Sequence, residues 1–229
     1  MDSSQLLGIT TFTLLFASFL YIGALLFRSS AVGRFATWFT VAALVILTVG
    51  LGLRWVESYQ MGIGHAPLTN MYESVVFFAW TIVILYLGIE WKFKTRTIGA
   101  FALPLAFLAM AYGSFAPINK GINPLVPALQ SNWLIAHVVT CFIGYGAFAM
   151  ASGLGLMYLL KQSAVEKKLS ENTLLGSLPD LRFIDDMTYK TIVFGFLWLS
   201  AGIITGAIWA NEAWGTYWSW DPKETWSII

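Results

Sequence analysis

Hydrophobic residues run through this chain in long unbroken blocks, without the two-residue alternation of a half-buried strand or the single apolar stripe of a soluble helix. Six blocks, near residues 6–27, 35–53, 72–89, 97–114, 133–160 and 191–210, are almost free of charge. A helix rising about 1.5 Å per residue needs about 20 apolar residues to cross ~30 Å of hydrocarbon. Each block therefore predicts a transmembrane helix, and residues 1–229 predict one all-α polytopic membrane domain of about six spans. The fourth block is marginal in length and carries Pro104, so a kink is expected there. The opening Met-Asp-Ser-Ser has no basic start and no small-residue cleavage site follows, so the first block reads as a retained span. Between the last two blocks, Leu174, Leu175, Leu178, Leu181 and Ile184 form an apolar stripe that predicts a short amphipathic helix on the membrane surface.

Composition and charge sharpen this picture. The chain is 58% hydrophobic and only 11% charged, against roughly 25% charged in soluble domains, which excludes a water-soluble fold. A net charge of +1 leaves no basic footprint for nucleic acid. The single cysteine, Cys141, excludes an internal disulfide. Ten of the 13 basic residues (Arg28, Arg34, Lys92, Lys94, Arg96, Lys161, Lys167, Lys168, Arg182 and Lys190) fall in the odd-numbered loops. Cytoplasmic loops carry such an excess, so the N-terminus and the tail are expected on the outer face: periplasmic, extracellular or lumenal. The membrane would be a bacterial cytoplasmic membrane or a thylakoid.

Five of the eleven tryptophans, Trp209, Trp214, Trp218, Trp220 and Trp226, lie in the last 21 residues. An interfacial aromatic belt accounts for one or two per membrane face. Trp214, Tyr217, Trp218 and Trp220 around Gly215 look instead like a platform for a flat, apolar, π-rich ligand. A metal at the centre of that ligand would need an imidazole on the same face. Both histidines, His65 and His137, fall on the outer side. His137 sits one turn below Trp133, about 6 Å along the helix; taken alone, it reads first as a helix histidine bonded to a neighbour and second as a ligand. His65, in a loop fixed by Pro67, admits a ligand reading and a solvated reading equally. Cys141, four residues after His137, reads as packing. Asn70 with Glu73 has capping-box spacing, which makes Glu73 structural. Apart from His137, the spans are expected to bury nothing ionisable. Asp221, Pro222 and Glu224 match N-cap, N1 and N3 of a seventh helix, of which only the start is present; a C-terminally truncated chain is expected.

The run Trp214-Gly215-Thr216-Tyr217-Trp218-Ser219-Trp220-Asp221-Pro222-Lys223-Glu224-Thr225-Trp226 resembles the tryptophan-rich WWD segment of heme-handling proteins. Together with His65-Ala66-Pro67-Leu68-Thr69-Asn70-Met71-Tyr72-Glu73-Ser74 and Gln130-Ser131-Asn132-Trp133-Leu134-Ile135-Ala136-His137, it is similar to the CcsA/ResC branch of system II cytochrome c maturation. The likeness covers most of the chain from about residue 54. It implies a c-type cytochrome biogenesis protein that presents heme b at the outer face, where the thiols of an apocytochrome c Cys-x-x-Cys-His motif add to the vinyl groups. It implies His137 as an axial ligand to the heme iron, and Trp214, Gly215, Trp218, Trp220 and Asp221 as the heme-contacting segment. His65 matches a family pattern without an assigned role. The family continues with further helices and histidines beyond this segment. A CcsB/ResB-type membrane subunit is the implied partner, and a cytochrome c heme lyase the implied assembly. Lys223 could face a propionate or water. Two other readings are a CcmC-like heme-delivery chaperone without ligation and a small-molecule membrane transporter.

Overall fold

The computed structural model describes residues 2–170 and 173–228. They form helices α1 (Ser3–Phe27), α2 (Ser30–Gln60), α3 (Met71–Phe93), α4 (Gly99–Phe115), α5 (Asn132–Glu166), α6 (Leu181–Trp214) and α7 (Pro222–Ile228), with a short 3-10 turn at Pro127–Leu129 before α5. There is no strand among the described residues. α1, α2, α3, α5 and α6 are long and apolar enough to cross a bilayer. α4, at 17 residues, is the shortest of the six, and it continues as one helix through Pro104. The protein is a polytopic helical membrane protein, as the apolar blocks predict.

The helix ends follow from local chemistry. Asp2 caps α1 by accepting the Gln5 backbone N–H at 2.7 Å, and Ser29 caps α2 through the Val32 N–H. Arg28 between them takes the left-handed conformation, at φ 51°, so two residues suffice to reverse the chain. Successive connections thus alternate between two ends of the bundle. The upper end holds Ser3, Gln60, Met71, Phe115, Asn132 and Trp214, and the lower end holds Phe27, Phe93 and Glu166.

Each end is tied by one buried carboxylate. At the upper end Glu73 accepts from Arg54 Nε at 2.7 Å, with both side chains almost fully buried. Arg54 Nη2 also donates to the Lys120 carbonyl at 2.6 Å, so this pair pins the α4–α5 connection onto α2 and α3. Asn70 caps α3 as its position predicts. The Glu73 carboxylate, however, accepts from the Thr69 N–H and hydroxyl instead of closing a box on Asn70, because Arg54 claims its other oxygen. At the lower end Glu90 accepts from the Tyr21 and Tyr86 hydroxyls at 2.8 and 2.7 Å, from Thr37 at 2.6 Å and from Arg96 at 3.1 Å. The expectation that the spans bury no charge beyond His137 is therefore wrong: Arg54, Glu73 and Glu90 are all buried. They lie near the helix ends, where hydroxyls, loop carbonyls and opposite charges satisfy them.

The segment between α5 and α6 also departs from expectation. Its described residues form turns, not a surface helix. Lys161 Nζ donates to the Gly176 carbonyl at 2.7 Å, which folds the segment back under the bundle. Leu178 and Ile184 join the core, and Leu175 packs against it. Most of the stripe thus serves the protein interior, while Leu174 stays exposed; Glu171 and Asn172 lie outside the described residues.

α5 and α6 pack along each other, whereas α6 makes only sparse contact with the rest of the bundle. Their seam is built on glycine. A Cβ at Gly144 would lie 3.0 Å from the Gly195 carbonyl, and one at Gly202 would lie 2.5 Å from Cys141 Sγ. Small residues let membrane helices approach until backbones touch. The outward side of α6, including Phe196, Leu197 and Ile204, is exposed and apolar, as a lipid-facing surface must be.

Breaking the upper pair tests this account. Glu73→Leu leaves the Arg54 guanidinium buried and unpaired and is expected to cost about 3–5 kcal/mol. Arg54→Met with Glu73→Leu removes both charges and should recover much of that loss. Unfolding of both variants in detergent micelles, followed by circular dichroism, measures the difference.

Candidate functional site

At the upper end of the α5–α6 seam the glycines place a histidine. His137, one turn into α5, is half-buried, and its Nδ1 lies 2.8 Å from the Gly202 carbonyl of α6. A carbonyl only accepts, so the ring proton sits on Nδ1 and the lone pair on Nε2. Nε2 makes no hydrogen bond among the described residues, and none of their buried side-chain nitrogens or oxygens lacks a partner. Nε2 is therefore open to the outside. Gly206 supplies the room, since a Cβ there would stand 2.6 Å from Nδ1. Cys141 packs beneath, its sulfur 3.6 Å from Nδ1.

The aromatic wall begins with Trp209, which lies nearly parallel to the imidazole, with centroids 5.9 Å apart and planes at 15°. Its Nε1 donates to the Ala128 carbonyl in the 3-10 turn at 2.9 Å, so its orientation is fixed from the α4–α5 connection. Trp214 meets it edge-on at 4.8 Å. α6 then ends at Gly215, whose φ of +79° is the left-handed closure that glycine adopts without strain. The turn sends the chain back towards α5. Asp221 caps α7 by accepting the Glu224 N–H at 2.7 Å, and Glu224 reaches back to the N–H groups of Ser219 and Asp221. This is the reciprocal capping box that the spacing of Asp221, Pro222 and Glu224 predicts.

These elements enclose a cavity of about 450 Å³ whose lining includes His137, Trp209, Trp214, Tyr217, Trp218, Asp221 and Lys223. Of the residues singled out in the sequence, His137, Trp214, Trp218 and Asp221 thus meet around one space. Gly215 shapes it from the turn without lining it. Trp220 points elsewhere: it is 71% exposed, adopts φ +59° and touches Trp218 edge to face at 5.9 Å.

His65 does not join them. It lines a different cavity of about 680 Å³, together with Tyr59, Gln130, Ser131 and Glu212. Its two ring nitrogens face the Ala66 carbonyl at 2.9 Å and the Asn123 carbonyl at 3.0 Å, so the ring links its loop to the α4–α5 connection and a carbonyl stands where a ligand to either nitrogen would have to sit. The two cavities are separated by the tops of α5 and α6, where the Ser131 hydroxyl donates to Glu212 at 2.6 Å. Sequence reasoning missed Trp209, Gly202 and Gly206 as parts of the site. The seven- and four-residue steps from Gly195 to Gly202 to Gly206 were the visible signal, but only the facing helix shows what they admit.

The tautomer can be read directly, because the chain has only two histidines. In protein labelled with 15N-histidine, His137 is expected to show the Nδ1–H form. Gly206→Ala, which drives a methyl group into the ring, should abolish that signature while His65 keeps its own.

The sequence comparisons bear on the same region. A family model described as cytochrome C assembly protein matches residues 68–229, which includes every residue of the His137 cavity. The protein named cytochrome c biogenesis protein CcsA from Guillardia theta is 40% identical over 206 residues, covering 83% of this chain and 67% of that one. The protein of that name from Chlorella vulgaris is 41% identical, covering 82% and 67%, and the one from Trieres chinensis is 37% identical, covering 100% and 80%. The chain spans about two thirds of the length of the first two and four fifths of the third. With the family model covering residues 68–229 and identities at this level over most of its residues, the chain belongs to the cytochrome c assembly family, among its CcsA-type members.

Proposed function

We propose that the protein acts in c-type cytochrome biogenesis by binding heme in the His137 cavity and presenting it for covalent attachment to an apocytochrome. The observation that carries this reading is an imidazole whose Nδ1 proton is committed to a backbone carbonyl, in a cavity walled by Trp209, Trp214, Tyr217 and Trp218. That is the donor set a planar, apolar, iron-centred ring requires. The relatives named for cytochrome c biogenesis support it.

In this reading His137 Nε2 would ligate the iron, with Trp209, parallel to the imidazole, edge-on to the ring, and the indoles of the lining would shield it from water. Lys223 is the cation of the cavity lining and serves a propionate. Asp221 and Glu224, the acids nearby, each commit one carboxylate oxygen to the α7 cap, which limits their repulsion of that propionate. Trp220, exposed and outside the lining, is the rim residue that meets the incoming polypeptide. Each thiol S–H adds across a vinyl C=C bond, so no leaving group has to be removed. What the protein supplies is position: holding the vinyl groups still raises their effective concentration beside the thiols. The Cys-x-x-Cys-His segment of the apocytochrome is the acceptor, a CcsB/ResB-type subunit the membrane partner, and the upper end the periplasmic or lumenal face, because the basic loops gather below. His65 stays outside the ligand set and holds the α4–α5 connection.

Heme titration of the purified protein, followed by its Soret absorbance, tests the reading. His137→Ala is expected to lose the axial-ligand spectrum and to regain it with added imidazole. Trp218→Ala should bind roughly tenfold more weakly, the scale of one lost aromatic contact, and His65→Gln should bind as the unaltered protein does. Wild-type protein that takes up no heme, or His137→Ala with an unchanged spectrum, overturns the proposal. Co-expression of the protein with an apocytochrome in a host lacking its own maturation genes separates attachment, which leaves covalent heme on the reporter, from delivery alone.

A further inference from the structure

Because α6 leans on α5 and barely reaches the other helices, a groove of about 300 Å³ opens between α3 and α6 in the lower half of the bundle. α5 forms its floor through Met150, and Leu85 and Gly88 of α3 face Phe194 of α6 across it. Below, Phe93 and Phe183 meet edge to face at 6.1 Å and close the gap. The lining is apolar except at two places, Lys92 of α3 and Lys190 of α6, apart from the hydroxyl of Thr191, which is spent on the Met187 carbonyl. The ammonium of Lys92 lies 5.4 Å from the Phe93 ring centroid, and Lys190 bonds Asp186 at 2.5 Å on the exposed surface. The three side chains together carry one net positive charge. Both lysines mark the same depth: residues 191–211 of α6 and 74–89 of α3 contain no charged side chain, so Lys190 and Lys92 stand where hydrocarbon gives way to headgroups.

We infer that this groove is a binding site for one anionic phospholipid of the lower leaflet, with an acyl chain along Leu85, Gly88 and Phe194 and the phosphodiester between Lys92 and Lys190. An acyl chain fits because the groove is narrow, apolar and open sideways to the membrane. The single negative charge of the phosphodiester matches the single positive charge at the mouth, and lysines at headgroup depth attract anionic lipid. Gly88 makes the space: nothing lies within 4 Å of a Cβ built there, so a larger side chain can occupy the groove without displacing a helix. The site is separate from the His137 cavity and does not depend on the heme reading.

Native mass spectrometry of the protein released from nanodiscs of phosphatidylcholine mixed with phosphatidylglycerol tests it. The unaltered protein should retain one phosphatidylglycerol in preference to phosphatidylcholine. Lys92→Gln with Lys190→Gln should lose the preference, at roughly fivefold per lysine, while Lys167→Gln with Lys168→Gln, on the same face but outside the groove, should keep it. Gly88→Leu should lose retention of both lipids while keeping the circular dichroism and melting profile of the unaltered protein. No preference in the unaltered protein, equal loss in the Lys167/Lys168 control, or full retention in Gly88→Leu overturns the proposal. So does a Gly88→Leu variant that keeps its lipid but loses heme uptake, which would make the groove a tetrapyrrole site.

Discussion

The close approach of α5 and α6 is the constraint on which the upper end of the molecule depends. Helix axes that touch along Gly144, Gly195 and Gly202 bring a backbone carbonyl of one helix within reach of an imidazole on the other. With an ordinary side chain at position 202 or 206 the helices would stand further apart, and His137 would turn to water or to its own helix. The same approach sets where α6 emerges at the upper end, hence where Gly215 reverses the chain and which way the tryptophans face. Dispersion between closely fitted surfaces drives this association, since lipid offers apolar side chains no advantage over one another.

The buried carboxylates work on a second axis. Glu90 binds α1, α2 and α3 below through three hydroxyls, and Glu73 with Arg54 binds α2, α3 and the α4–α5 connection above. That connection supplies the Ala128 carbonyl for Trp209 and the Asn123 carbonyl for His65. A salt bridge far from His137 in sequence thereby orients the wall that His137 faces. Charge in the spans has a positional task here.

Much of this was legible in the sequence, for identifiable reasons. The spans stand out because a 20-residue stretch without charge has few other uses, and the α7 cap stands out because Asp221, Pro222 and Glu224 act within one turn. Apolar counting underestimates α5 and α6, which run on as helix for several residues into the headgroup region, where polar side chains are at no disadvantage. The stripe from Leu174 to Ile184 misleads for a related reason: an amphipathic pattern says that one side is buried without saying whether lipid or protein buries it. Arg54 and Glu73 lie 19 residues apart on different helices, and no local pattern announces their pairing. His65 and His137 share one end of the bundle, as six spans predict, but only the packed tops of α5 and α6 divide them into two cavities.

The bond from His137 to the Gly202 carbonyl has an electronic consequence as well as a geometric one. A carbonyl that accepts the Nδ1 proton pushes electron density through the ring and strengthens Nε2 as a donor. In many metal sites that task falls to a carboxylate, which evolution can exchange or titrate. Here the accepting group is main chain, part of the helix itself, and no substitution can alter its chemistry. The acceptor at this position is thus insulated from side-chain change, and the remaining way to adjust the bond is to slide one helix against the other.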